Sequence, residues 1–260
     1  MQLSDYLNDI ARATGFLSRL PMPARHFTDY DGSLSRASGM FAIAGCVIAL
    51  CPGLVLLGLS AFNANAALSV ILTLVGLILV TGALHEDGLA DSADALGARG
   101  GREHMLEIMK DSRIGAYGVL ALMLSFALRA LALTIILSVS GGWTTFWVLL
   151  ATAAISRAAM VWHWNLLPPA RQHGVAASAG APEESARTLA LVSGGLLFAV
   201  LVTFAFGFVT ALLALLVVAA ATYQWTSMVR AKLGGHTGDT IGATQQIAET
   251  VCLTALALLV

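Results

Sequence analysis

Residues 66–97 read AALSVILTLVGLILVTGALHEDGLADSADALG. The first part, Ala66 to Leu84, carries no charge and is long enough, as a helix, to cross most of a hydrocarbon layer about 30 Å thick. The second part turns abruptly acidic. Six further apolar runs resemble the first, at about 38–60, 115–139, 144–163, 188–206, 208–228 and 241–260. Gly207 is the break between two of them that are otherwise nearly fused. Backbone groups in lipid must be satisfied internally, and no period-2 alternation suggests a barrel, so each run is read as a helix. The expected fold is an all-α polytopic bundle of about seven transmembrane helices.

Composition agrees. Of 260 residues, 58% are hydrophobic and only 11% charged, against about 25% charged in an ordinary soluble domain. Mean hydropathy is +0.82. With 14 basic and 15 acidic side chains the net charge is −1, which excludes a basic nucleic-acid-binding domain and a disordered chain. Cys46, Cys51 and Cys252 lie inside apolar runs without a CxxC pair and read as small core residues. Asp5, Asp9, Arg12 and Arg19 interrupt the first 20 residues, so they do not form a signal peptide. Leu3, Leu7, Ile10, Phe16, Leu17 and Leu20 are instead spaced as the apolar face of an interfacial amphipathic helix.

The charges are one-sided. Arg12, Arg19, Arg25 and Arg36 fall in segment 1–37, and Arg99, Arg102, Lys110 and Arg113 in loop 85–114. Arg171 and Arg187 fall in loop 164–187, and Arg230 and Lys232 in loop 229–240. The intervening connections near 61–65, 140–143 and 207, and the C-terminus, hold no basic residue. With seven spans, every basic loop lies on one side, the cytoplasmic side by the positive-inside rule, and the C-terminus is periplasmic. The acidic residues, among them Asp29, Asp31, Glu183 and Glu184, and all six histidines map to that same side. A transporter needs polar features through its depth. This distribution instead suggests a membrane-embedded enzyme working on a charged, soluble cytoplasmic substrate. Arg129, Arg157 and Glu249 remain inside spans, where ionisable groups are expensive.

The cytoplasmic loops carry the chemistry. On a helix, Asp87, Asp91 and Asp94 stand at i, i+4 and i+7, within about 60° of arc. Three like charges on one face repel, and a divalent cation offsets that. Carboxylates with open positions suit Mg²⁺, which keeps waters and takes substrate phosphates. Glu86 points away as an outer metal contact, and His85 can orient a carboxylate or accept a proton. Arg99 and Arg102, flanked by glycines, can clamp a diphosphate; Lys110, Ser112 and Arg113 form a compact donor set before the third span. Asp111 sits between two cations as an ion-pair member or metal ligand. On the same side, GGHTGDTIGATQQ (234–246) places Asp239 and Thr240 at the start of the last span, for metal or nucleoside binding. Pro168 and Pro169 end a span near Gly174, letting Arg157 and Arg171 reach the same site. Asp-rich helical faces also occur in prenyl-diphosphate enzymes and in alcohol phosphotransferases, so these residues alone indicate Mg²⁺-dependent phosphoryl or diphosphate chemistry at the inner face of a membrane.

The run Leu84-His85-Glu86-Asp87-Gly88-Leu89-Ala90-Asp91-Ser92-Ala93-Asp94 resembles the cobalamin synthase family, the adenosylcobinamide-GDP ribazoletransferases. So do Met105-Leu106-Glu107-Ile108-Met109-Lys110-Asp111-Ser112-Arg113-Ile114-Gly115, Gly238-Asp239-Thr240 with Gly242-Ala243, and Phe16-Leu17-Ser18-Arg19-Leu20-Pro21-Met22-Pro23. The matches run from about residue 16 to 250, as one membrane-embedded domain over 1–260. Glu86 departs from the family pattern, where Leu is frequent. The resemblance implies an inner-membrane enzyme of late cobalamin assembly that joins adenosylcobinamide-GDP to α-ribazole, or its 5′-phosphate, releases GMP and requires Mg²⁺. It leaves a homo-oligomer, or a complex with other late cobalamin enzymes, open. On this reading Asp87, Asp91, Asp94 and Glu86 surround the metal. Asp94, Asp91 or His85 handles the hydroxyl proton. Arg99, Arg102, Lys110, Asp111, Ser112, Arg113, Arg157, Asp239 and Thr240 bind phosphates and substrate.

Overall fold

The computed structural model describes residues 3–28, 30–171 and 179–260; Asp29, His173 and Gly174 lie outside them. The described residues form helices with no strand. In chain order these are α1 (Leu3–Leu17), α2 (Phe41–Ala61), α3 (Ala66–Thr81), α4 (Leu84–Gly97), α5 (Arg102–Ile108), α6 (Ala116–Leu166), α7 (Glu184–Phe206), α8 (Phe208–Leu233) and α9 (Gly238–Leu259). Four of them, α2, α6, α7 and α8, are long and apolar enough to cross a membrane, and a fifth candidate is the bent pair α3–α4.

Helix α6 is two helices in one. Its 51 residues contain Gly141 at φ 77°, ψ 173°, a backbone region open to glycine. Arg129 and Arg157 would stand about 42 Å apart on a straight helix, yet both reach the Glu249 carboxylate, at 3.3 and 2.8 Å. The chain therefore reverses at Gly141, and the two arms run side by side. Gly207, at φ 88°, ψ 162°, breaks the next long apolar run in the same way between α7 and α8.

Leu50 and Leu54 of α2, Leu120, Met123 and Leu124 of α6 and Leu216 of α8 are exposed. In water such a surface is an aggregation hazard; against lipid tails it is ordinary. The interior is filled by Leu56, Leu74, Leu133, Ile136, Leu149, Phe198 and Leu253, all closed to solvent. Helix α9 differs from the rest. Its first half, GDTIGATQQIAET, buries Thr240, Thr244, Gln245, Gln246, Glu249 and Thr250, so its 22 residues carry polar groups into the centre of the bundle.

The acidic stretch does not continue the preceding helix, as a simple extension of the second span implies. Gly82 (φ 65°) and Ala83 (φ 61°) both adopt the left-handed conformation, and α4 leaves α3 at 89°. The strained Ala83 is held by hydrogen bonds at both ends of the turn: its N–H donates to Ile78 O at 3.0 Å, and its carbonyl accepts from Asp87 N at 2.9 Å. Helix α4 therefore turns aside at the end of the apolar run, carrying its carboxylates across the end of the bundle, where it packs on α9 and α6.

Candidate active site

Helix α4 and the first turn of α9 are in direct contact. A β-carbon on Gly88 would lie 2.7 Å from the Asp239 carbonyl oxygen, so only glycine allows this approach. Thr237 opens α9 as its N-cap, with Thr237 Oγ1 accepting from Thr240 N and Thr240 Oγ1 accepting from Thr237 N. This crossing places Asp87 and Asp91 of α4 beside Asp239. Burial, then the negative charge of Asp87, Asp239 and Asp94, raises the Asp91 carboxyl to about 6. Asp239 is also raised, chiefly by burial, with Arg171 opposing and Asp87 reinforcing. Among the described residues neither the Asp87 nor the Asp91 carboxylate has a hydrogen-bond or ion-pair partner.

Asp94, expected as a third ligand or as the base, has another task. Its Oδ2 accepts from Gly115 N at 2.7 Å and its Oδ1 from Gly118 N at 2.8 Å. Both oxygens cap the N-terminus of α6, where orphan N–H groups and the helix dipole favour a carboxylate. The acidic patch is thus Asp87 and Asp91 with Asp239 from a distant part of the chain, not three aspartates of one helix. Among the described residues no three His, Cys, Asp or Glu side chains are grouped closely enough to hold a metal ion by themselves. A divalent cation of the Mg²⁺ type still fits. The donors are oxygens, two of them are unpartnered, and such an ion fills its remaining positions with water and substrate phosphate.

The cations divide into two groups. Arg102 is a staple: its Nε donates to Leu233 O at 2.7 Å and its Nη2 to Ala170 O at 2.6 Å. Arg113 and Asp111 pair with each other at the surface, which pulls the Asp111 carboxyl down to about 2. Arg99, Lys110 and Ser112 are exposed and make no side-chain hydrogen bond among the described residues, so they are open to an anion. Arg171 reaches the patch as expected, close enough to act on Asp239 while its Nη2 donates to Leu106 O.

Arg157 does not reach it. It is 2% exposed and donates to Glu249 Oε2 at 2.8 Å and Ser156 Oγ at 3.1 Å. Arg129 joins Glu249 Oε1 at 3.3 Å and Glu86 Oε1 at 3.5 Å, and Gln246 Nε2 donates to Glu86 at 2.9 Å. Glu86, expected near the metal, belongs to this internal network of two arginines and two glutamates. Charge balance explains its burial: paired and hydrogen-bonded charges are what an apolar interior tolerates. Thr240 is likewise a structural cap, with its hydroxyl also 3.2 Å from His163 Nε2.

Beside the carboxylates lies a pocket of about 190 Å³ lined by Phe16, Leu84, His85, Asp87, Met160, Trp164, Asp239 and Ile241, among others. His85 is 1% exposed, and among the described residues its Nε2 is unpartnered. The sequence reading singled out His85, Asp87 and Asp239 but not the walls. Phe16 comes from α1, and Met160 and Trp164 from the second arm of α6, more than 140 residues later. Phe16 is marked by its place in the FLSRLPMP run and on the apolar face of the N-terminal helix; Met160 and Trp164 sit in an apolar run with nothing to mark them.

This arrangement has relatives along its whole length. Residues 9–257 match the family model described as cobalamin-5-phosphate synthase. The chain belongs to that family. It is 50% identical over 257 residues to a protein of Rhizobium johnstonii, covering 99% of both chains, and 50% identical over 262 residues to one of Sinorhizobium medicae, covering 99% of this chain and 98% of the relative. A protein of Brucella ovis is 36% identical over 256 residues, covering 98% of each. All three are named adenosylcobinamide-GDP ribazoletransferase. No solved structure matches the chain.

Proposed function

We propose that the chain is an adenosylcobinamide-GDP ribazoletransferase. It joins adenosylcobinamide-GDP to α-ribazole, or its 5′-phosphate, to give adenosylcobalamin, or its 5′-phosphate, and GMP. Half-identity across the full length of relatives carrying that name supports this reading most strongly. The α4–α9 carboxylates supply the matching chemistry.

Asp87 and Asp91 would hold Mg²⁺. Bound there, the ion would neutralise charge on the diphosphate and its departing oxygen. Arg99, Lys110 and Ser112, the donors left open at the surface, take the outer phosphate oxygens. Asp239, on the wall of the pocket, accepts the proton of the attacking ribazole hydroxyl. That hydroxyl oxygen bonds to the cobinamide-side phosphorus as the bond to the GMP oxygen breaks. Positioning and charge neutralisation supply most of the acceleration in such a transfer. His85, with a buried unpartnered ring nitrogen, hydrogen-bonds the acceptor.

We read α2, α3, both arms of α6, α7, α8 and α9 as seven crossings of the cell's inner membrane. Arginine and lysine in alternate loops orient the site and the N-terminus to the cytoplasm and the C-terminus to the periplasm. Exposed Leu3 and Leu7 on α1 support an amphipathic helix lying in the interface. The test is GMP release from labelled adenosylcobinamide-GDP by the purified protein in lipid. Release that depends on α-ribazole supports the assignment; none, or the same release without acceptor, contradicts it.

A further inference from the structure

The pocket beside the carboxylates has a composition that the diphosphate chemistry does not explain. Phe16, Leu84, Met160, Trp164 and Ile241 make most of its wall. A phosphate chain needs no aromatic wall, and the corrin macrocycle of the donor is far too large for about 190 Å³. A flat bicyclic ring fits. Among the described residues, two wall side chains carry buried ring nitrogens without partners: Trp164 Nε1 and His85 Nε2. Their residues are 2% and 1% exposed. Buried polar atoms are rarely left unpaired, so each of these two nitrogens calls for a partner. Trp164 Nε1–H is a donor only, so its partner must be an acceptor.

We propose that this pocket is the acceptor subsite and seats the apolar aromatic base of the incoming nucleoside. The reading rests on the transferase assignment above and adds the place where its second substrate binds. Phe16 and Trp164 flank the ring, Met160 and Ile241 take its methyl-bearing edge, and Trp164 Nε1–H donates to the unsubstituted ring nitrogen. The ribose is then directed toward Asp239 and Asp87, which line the same pocket. Guanine, the base of the donor, has several polar edge groups that apolar walls leave unpaired, so it is rejected.

The test uses the full chain in lipid with adenosylcobinamide-GDP and α-ribazole. Trp164→Phe keeps a ring and removes the N–H; Phe16→Ala removes a partly exposed wall. The expected result for each is a KM for α-ribazole raised about tenfold or more, with the KM for adenosylcobinamide-GDP unchanged. The riboside of benzimidazole lacking both methyl groups binds wild type about tenfold more weakly than α-ribazole, and GMP does not compete with α-ribazole. Should Trp164→Phe fail to fold, Phe16→Ala and the riboside comparison decide the matter alone. A raised KM for the corrinoid donor instead, unchanged KM values for both substrates, or competition between GMP and α-ribazole would overturn the subsite while leaving the reaction assignment intact. Absence of α-ribazole-dependent GMP release in wild type would remove both.

Discussion

Asp239 and Asp87 sit side by side in space, yet one lies at the start of the last helix and the other near the start of the fourth. Their roles separate by position. Asp87 is exposed on the acidic face, whereas Asp239 is held under Gly88 at the pocket wall. Asp239→Asn should therefore lower kcat by about 100-fold while the Mg²⁺ concentration for half-maximal rate stays near wild type. A parallel rise in Mg²⁺ requirement would make Asp239 a ligand instead. His236, three residues earlier, shows how burial sets a pH response. Its imidazole is pushed by burial from 6.5 down to about 4, and among the described residues its Nδ1 has no partner. Between those values the unfolded chain binds a proton that the folded chain refuses, so this group's contribution to stability falls as pH drops from 6.5 toward 4. His236→Gln should remove that part, of order 3 kcal/mol at most. Thermal unfolding of variant and wild type at pH 4.5 and 7 measures the difference. Equal pH dependence in the two proteins would contradict the burial argument.

At the scale of elements, the sequence was legible wherever a physical rule acts locally. Apolar length marked the long helices, Gly207 marked a break, and the i, i+4, i+7 spacing put Asp87, Asp91 and Asp94 on one helical face. What spacing cannot show is which helix end faces which. Asp94 shares its face with Asp91 but meets the start of α6, whose Gly115 and Gly118 N–H groups claim both oxygens. Glu86 looks like a site residue because it is charged and adjoins Asp87, and Arg157 because its span ends at Pro168 and Pro169 on the side of the site. Their partners, Arg129 and Glu249, lie in other spans and draw them inward. Asp239 was legible from its glycine-spaced loop at the start of the last span, but not its approach to α4, which the small residues Gly88 and Gly242 allow. One consequence is testable at this scale. Asp94→Ala should lower stability by about 2 kcal/mol through two lost charge-assisted hydrogen bonds and a lost helix cap. It should leave the Mg²⁺ dependence of the residual activity unchanged. Thermal unfolding and a Mg²⁺ titration together check this; an altered Mg²⁺ requirement would return Asp94 to the metal.

Across the whole molecule, polar chemistry enters the bundle along α4 and α9 and is neutralised inside it. Glu86, Arg129, Glu249 and Arg157 bring two charges of each sign together, with Gln245 and Gln246 completing their hydrogen bonds. Removing one member leaves the interior charged. Glu249→Ala should therefore destabilise by about 3–5 kcal/mol. Glu249→Leu combined with Arg157→Met restores neutrality and should recover much of that loss. Thermal unfolding of the single and double variants decides this, and equal destabilisation by both would show that packing, rather than charge balance, dominates. The network fixes α4 against α6 and α9, so the carboxylates at the pocket mouth are positioned by the core of the membrane bundle rather than by a free loop.

The carboxylates of α4, set against Asp239, are central to the function proposed for this fold. Asp87→Asn and Asp91→Asn in the purified, lipid-embedded protein, assayed for α-ribazole-dependent GMP release across a Mg²⁺ titration, examine them together. Each variant should lose at least about 100-fold at low Mg²⁺, with partial recovery at high Mg²⁺. Near-wild-type rates at low Mg²⁺ in both variants would contradict a metal-assisted diphosphate site at the α4–α9 crossing.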